Sequence, residues 1–438
     1  MNLLKVLSGR LEVIDDSTSS SDLVNRLVAV GPTEESLHLV ELDNLVKRHY
    51  QWLTCLPRVR PFYAIKSNND PAVVETLALL GCGFDCASKG EVQRVLDLGV
   101  PREAIIYAQP AKTIEGLLFA RERNVRTVFD CELELRKIQQ YYPEAEVLIR
   151  FRFDAKDAQA QLGTKFGCDP DEEARWLLDL AKQLNIKVVG WCFNAGSGCT
   201  DGKIYYEAIK KGRQITDYAE SIGFNFWYLD LGGGYLGDKG ESLAEHAVHI
   251  NKALDEFFPE KPGLQVIAEP GRYYCASVVT SVVPIHGKRV FHNSKNRDQV
   301  DHIFYYLNDG IYGSFYSAKY EGQKVLPIVW KSTDECGPIR RTTLFGPTCD
   351  GNDFFAQGIE LPELQVSDFL VFENQGAYSH VTACRFNGFN LPKSVVFIRR
   401  SVWHLLEEVA MEQSSPKKLV LNSSYLQNNS DMQNIKFR

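Results

Sequence analysis

Between residues 60 and 270 the chain alternates between two textures, and that alternation limits the fold more than any other feature. Short apolar runs lie at Phe62–Ile65, Gly83–Cys86, Ala104–Ala108, Arg126–Phe129, Glu146–Phe153, Lys187–Phe193, Phe226–Leu231 and Gln265–Ala268. Between most of them lie longer segments with apolar residues at helical spacing, such as Val73-Val74-x-x-Leu77-x-Leu79-Leu80 and Val92-x-x-Val95-Leu96-x-Leu98. Gly81, Gly99 and Gly223 follow three of these segments as helix C-cap candidates. Eight strands alternating with helices is the count of a closed, TIM-like (β/α)8 barrel. An open doubly wound sheet, usually built from fewer units, is the alternative.

After Pro270 the texture changes. β-branched and aromatic runs at Ser277–Ile285, Ile303–Leu307, Val325–Val329, Thr342–Phe345, Phe369–Glu373 and Val395–Ile398 are separated by turns rich in Gly, Asn and Pro. They predict a mainly antiparallel β domain, to which Leu11–Ile14 could add a strand. The reading is α/β, with a barrel over 36–270, a β domain from 1–35 and 271–412, and a flexible tail over 413–438.

Bulk properties narrow the function. A formal net charge of −7 disfavours nucleic acid and anionic membrane as partners. No apolar run approaches the roughly 20 residues that span a bilayer. The opening Met1–Leu7 is too short for a signal-peptide core, which predicts a cytoplasmic protein. The eleven cysteines are scattered and contain no Cys-x-x-Cys pair, so neither a disulfide framework nor a zinc site is expected. His246 and His249 have no second ligand pair and read as a solvated helix face. No metal is expected.

Lys66 closes the first apolar run, where strand becomes loop, which in a parallel barrel is the catalytic end. A desolvated amine there can attack an aldehyde and hold it as a Schiff base; a solvated strand-end lysine is the plainer alternative. Leu229–Tyr235 runs into three consecutive glycines, whose bare N–H groups can converge on a phosphate, although such a run also serves as a flexible turn. Glu269 ends the eighth run and Arg272 follows it. They could hold a protonated ring nitrogen and clamp a phosphate, or form a structural ion pair. Phe193–Cys199 adds a small-residue loop with the Ser197 hydroxyl. A Schiff-base lysine, a phosphate cradle and a ring-nitrogen partner on one barrel face together specify pyridoxal 5′-phosphate (PLP).

From about residue 36 to 410 the chain resembles the eukaryotic ornithine decarboxylase family, with its alanine-racemase-type fold. The motifs that carry the resemblance are PFYAIKSN (Pro61–Asn68), GFDCAS (Gly83–Ser88), GSGCTD (Gly196–Asp201), LDLGGGY (Leu229–Tyr235), AEPGRYY (Ala268–Tyr274), NDGIYGSF (Asn308–Phe315), GPTCDG (Gly346–Gly351) and ENQGAY (Glu373–Tyr378). The resemblance implies that Lys66 anchors PLP and Glu269 pairs with its ring nitrogen. Ser197, Gly234, Gly271, Arg272 and Tyr378 would bind the phosphate, and Asp85 and Arg150 would support the lysine and the ring surroundings. Asp309 and Asp350 would receive the distal ammonium of a small basic amino acid, and Cys349 would protonate the carbanion left by carbon dioxide. In that family Cys349 and Asp350 reach the site from the other subunit, implying a homodimer with shared sites, and Lys165 and Asp353 match positions that pair across its interface.

The chain departs from the family at several positions. Asn194 stands beside the ring where active members carry a stacking histidine, and Ser67 replaces a cysteine after the lysine. The segment Ile114–Lys137 matches the family's antizyme-binding element but has Leu118 where a lysine is usual, with Glu115 and Glu122 adding negative charge, which argues against antizyme binding. The tail lacks the acidic, Pro-rich character of mammalian members. The implied activity is decarboxylation of L-ornithine to putrescine, in polyamine biosynthesis. The alternatives are a catalytically impaired paralogue like the antizyme inhibitors and a decarboxylase of lysine or arginine.

Overall fold

The computed structural model describes residues 3–29, 34–155, 158–159, 163–260, 262–330 and 337–413. These divide into two compact units: Val46–Tyr274 with the terminal pieces up to Leu7 and from Leu405, and Ser8–Leu45 with Cys275–His404. The expected tail lies, beyond Gln413, outside the described residues. No helix among the described residues is long and apolar enough to cross a membrane.

In the first unit the short apolar runs are buried on both faces, the requirement of a parallel sheet covered by helices. Arg60–Ala64, Gly83–Cys86, Ile105–Tyr107, Arg126–Phe129, Glu146–Arg150, Lys187–Cys192, Tyr228–Asp230 and Gln265–Ala268 form a closed parallel barrel in sequence order. The ring shuts where Ile267 lies opposite Arg60. A cluster of buried side chains drawn from seven of its strands packs together: Phe62, Ile106, Val128, Leu148, Val189, Cys192, Tyr228 and Ile267. Helix starts follow local chemistry: Asp70 caps the helix Pro71–Leu79 by accepting from Ala72 N–H at 2.8 Å, with Pro71 at its first position. Gly81, Gly99 and Gly223 adopt φ of +79°, +86° and +92°, the left-handed conformation that ends a helix.

Two expectations change. The fifth strand stops at Arg150 instead of Phe153, because Phe151 leaves the ladder to bridge Cys168. Leu37–Glu41, expected in the barrel unit, belongs to the second unit, where it pairs with Val279–His292 and Lys393–Arg399.

The second unit is a nine-stranded sheet. It is mainly antiparallel, as expected, with five of its eight strand pairs among the described residues antiparallel, but it is mixed: Glu12–Ile14, Lys393–Arg399 and Leu37–Glu41 run parallel, as do Val300–Leu307 and Ile339–Phe345. Apolar texture predicts strands but not their direction, which long connections decide. The strand Val279–His292 is the spine. Its first half pairs with Leu37–Glu41 and Phe369–Phe372, and its second half with Val300–Leu307 after a bulge at Ile285/Gly287.

Candidate active site

Lys66 sits in a single tight turn, Ile65–Ser67, directly after the first barrel strand. Ser67 Oγ donates to Ala64 O at 2.8 Å and Tyr63 OH donates to Asn68 O at 2.8 Å, so both ends of the turn are pinned. The expected desolvation does not hold: the Lys66 side chain is 40% exposed. The buried partner is Asp85, 1% exposed on the second strand, whose Oδ2 pairs with Lys66 Nζ. Asp85 Oδ1 has no hydrogen-bond partner among the described residues.

On the neighbouring strands of the closed ring, Glu269 follows the eighth strand and Asp230 ends the seventh, both buried. Burial drives Glu269 well above the usual carboxylate range, and the charges of Asp230 and Asp85 push it further against the opposing pull of Lys66 and Arg150. Burial likewise pushes Asp230 up to about 7. Three carboxylates therefore share two cations. A protonated ring nitrogen, as in PLP, would supply the missing positive charge and a hydrogen-bond donor. Asp230 was missed by sequence reasoning. The signal was present, since it ends a strand as Lys66 and Glu269 nearly do, but its neighbours Gly232–Gly234 drew the reading.

The glycine loop is built for close approach. Gly232 and Gly234 have φ of +62° and +116°, and a Cβ at Gly232 would lie 1.9 Å from Phe193 O. Gly232 N–H donates to Asp230 Oδ1 at 2.9 Å, and Glu269 N–H donates to Gly232 O at 2.7 Å, tying the loop to the Asp230 carboxylate and to the Glu269 backbone. Facing it, Cys199 N–H donates to Gly234 O at 2.9 Å and Tyr205 OH to Gly233 O at 2.9 Å. Gly271 leaves room for Ser67, whose Cβ a side chain would meet at 2.9 Å. Arg272, 5% exposed, donates from both Nε and Nη2 to Ser197 Oγ at 3.3 Å. A guanidinium fork beside a hydroxyl and bare glycine backbone fits a phosphate.

Asn194 follows the sixth strand and is half-buried; its Oδ1 accepts Gly196 N–H at 2.9 Å, locking its own loop. The Arg150 guanidinium lies over the Phe166 ring at 5.2 Å. The barrel mouth thus gathers Lys66, Asp85, Arg150, Asn194, Ser197, Gly234, Glu269, Gly271 and Arg272.

The remaining expected residues lie in the second unit, apart from Lys165 in the first. Asp309, 3% exposed, accepts Gly310 N–H and Ser314 N–H on Oδ1, both at 2.9 Å, while Oδ2 has no partner among the described residues. Burial pushes Asp309 up to about 6, against hydrogen bonds from Ser314. Asp350 is half-buried and accepts from Tyr312 OH at 2.7 Å. Cys349 is exposed, and its N–H donates to Asn387 Oδ1 at 2.9 Å. Tyr378 takes φ +54°, unusual for a bulky side chain. Asp353, 1% exposed, holds its own loop by accepting Ile311 N–H at 2.9 Å and Thr348 Oγ1–H at 2.6 Å. Lys165, its expected partner across a dimer, lies over Phe166 at 5.1 Å.

Residues 42–276 match the family described as "Pyridoxal-dependent decarboxylase, pyridoxal binding domain". The chain is 38% identical over 417 residues to ornithine decarboxylase of Rattus norvegicus, covering 92% of this chain and 90% of that one. It is 39% identical over 420 residues to antizyme inhibitor 2 of Xenopus laevis, covering 93% and 92%. Among solved structures, the arginine decarboxylase of Paramecium bursaria Chlorella virus bound to agmatine matches with a TM-score of 0.80 at 34% identity, over 85% of this chain and 99% of that one.

Proposed function

The chain belongs to the pyridoxal-dependent decarboxylase family, and from that premise we propose that it converts L-ornithine to putrescine, the first step from a basic amino acid into polyamines. It is a PLP-dependent amino-acid decarboxylase, a carboxy-lyase. The observation that carries the choice of a basic substrate is Asp309, a buried carboxylate with one oxygen saturated and the other without a partner.

When bound, PLP supplies the conjugated ring that accepts the electron pair left at Cα as the carboxylate departs as carbon dioxide. The chain's own residues hold and direct that chemistry. Lys66 provides the anchoring amine, oriented by Asp85. Glu269 holds a proton at the ring nitrogen, and a charge-assisted bond of this kind is worth about 1.5–3 kcal/mol. Its benefit is largest where charge develops. Ser197, Gly234, Gly271, Arg272 and Tyr378 take the phosphate, with Arg150 and Asn194 about the ring. Asp309 and Asp350 receive the distal ammonium, so a shorter or neutral amino acid leaves a buried carboxylate unpaired. The Cys349 thiol gives its proton to Cα. In this reading the protein works in the cytoplasm as a homodimer, Cys349 and Asp350 serving the partner's site.

A second reading is favoured by Asn194, whose amide oxygen is committed to Gly196 N–H, and by the likeness to an antizyme inhibitor. It is a chain that binds PLP, turns over poorly and acts by binding antizyme. Against it, Leu118 is exposed where the family has a lysine, and Glu115 is engaged by Lys89 at 2.6 Å. Carbon dioxide release by the PLP-loaded protein from ornithine, lysine and arginine in parallel separates the readings. Ornithine should be fastest; release from none of the three selects the binding reading.

A further inference from the structure

Arg48 lies on the helix Leu42–Cys55, in the part that belongs to the first unit, and is 7% exposed. Nothing in the reaction described above uses it. A buried guanidinium is costly unless its donors are met. Those of Arg48 are spent on main chain: Nη2 donates to Gly237 O at 3.1 Å and to Asp238 O at 2.7 Å, and Nη1 donates to Glu241 O at 3.0 Å. Glu241 N–H donates to the same Asp238 O at 3.1 Å. One side chain thus holds closed the turn 237–241, which only Tyr235 and Leu236 separate from the glycine run Gly232–Gly234.

That turn lies directly on the main chain of Arg272. A Cβ at Gly237 would fall 2.0 Å from Arg272 O and 2.7 Å from Tyr273 Cα, so the two backbones touch and a side chain there would drive them apart. The far side of this contact is tied to Arg48 as well. Tyr273 OH donates to Arg48 O at 2.9 Å, and the Arg48 guanidinium stands over the Tyr273 ring at 5.1 Å. One helical turn on, Trp52 packs edge-on against Tyr235 and Tyr273, with ring centroids 4.9 and 5.3 Å away. Burial raises the pKa of Asp238, and the charges of Arg272 and Arg48 pull it back, which puts its carboxylate in the field of both arginines. Arg272 reaches Ser197 Oγ through a long side chain, so the aim of its fork depends on where its main chain is held.

We propose that Arg48 is a positioning residue for phosphate binding: by holding the turn 237–241 and Tyr273 against the main chain of Arg272, it fixes the Arg272 guanidinium where a phosphate monoester is received. This rests on the reading of Arg272 as a phosphate ligand, and the experiment tests the two separately. The probes are PLP and pyridoxal, which differ only in the phosphate, titrated into full-length protein stripped of cofactor and followed by visible absorbance. The readout is the ratio of their dissociation constants. A general loosening of the fold, or a fault at Lys66, weakens both probes alike and leaves that ratio unchanged. Arg48→Met keeps the stem and removes the donors, and should cut the preference for PLP about tenfold, on the order of one charge-assisted hydrogen bond. Tyr273→Phe loses the hydroxyl tied to Arg48 O and should cut the preference about threefold, the smaller loss of a neutral hydrogen bond. It keeps the test decisive if the methionine variant does not fold. Arg272→Met should collapse the preference. An unchanged ratio in Arg48→Met, or in Tyr273→Phe where Arg48→Met does not fold, alongside a collapsed ratio in Arg272→Met, overturns the role of Arg48 alone. An unchanged ratio in Arg272→Met overturns the phosphate reading and the proposal with it.

Discussion

At the scale of single residues, the site rests on charges placed where water is scarce. Lys66 is reachable from solvent while its partner Asp85 is not, which suits the proposed division of the lysine as anchor and the aspartate as its orienting partner. Lys66→Ala should therefore remove the visible absorbance of the PLP-loaded protein that borohydride bleaches; a variant that stays yellow and bleachable would place the anchor elsewhere. Asp309 gives a prediction in pH. Its folded pKa is raised to about 6, so it is ionised only above that value. An ammonium binds the ionised form, so putrescine affinity relative to 1-aminobutane should fall below about pH 6, approaching tenfold per unit. A flat ratio between pH 7 and 5 would mean that Asp309 does not face the ligand. Lys66 and Glu269 were legible as candidates because each directly follows an apolar run, and Arg272 because it lies three residues beyond Glu269. Asp230 was equally placed and still overlooked. The contact between His38 and Ser314 was not legible at all, because no local pattern encodes a pairing of segments 276 residues apart.

At the scale of elements, the glycine loop after the seventh strand is where local backbone geometry limits ligand binding. Its two sequence readings, phosphate cradle and flexible turn, diverge in one variant. Gly232→Ala forces an L side chain to φ +62° and against Phe193 O. It should cost about 1–3 kcal/mol, lowering Tm by roughly 1–4 °C in a protein of this size, and should weaken PLP binding. Unchanged Tm and PLP affinity would favour the flexible turn. The barrel strands were legible because burial on both faces writes continuous apolar runs. The mixed character of the second sheet was not. Whether Val300–Leu307 meets Ile339–Phe345 parallel or antiparallel depends on the path between them, not on their composition.

At the scale of the whole molecule, the proposed catalytic residues are divided between two units, with Lys66, Glu269 and Arg272 in one and Asp309, Cys349, Asp350 and Tyr378 in the other. If sites are shared across a homodimer, mixing Lys66→Ala with Cys349→Ala protein should restore up to about a quarter of the wild-type activity, since one site in the mixed dimer escapes both lesions. No recovery after demonstrated subunit exchange would assign each site to a single chain.

The closure of the barrel also orders events in time. Arg60 of the first strand meets Ile267 of the last, roughly 200 residues later. A ribosome adding about 5–20 residues per second needs roughly 10–40 s to cover that distance. Through that interval the first strand has one unpaired edge, and Lys66 stands without Glu269, Arg272 or the glycine loop. Cofactor capture is therefore a late event in biogenesis: the nascent chain carries its reactive lysine long before it owns a place to put the ring, and the open edge is the interval's exposure to misassembly.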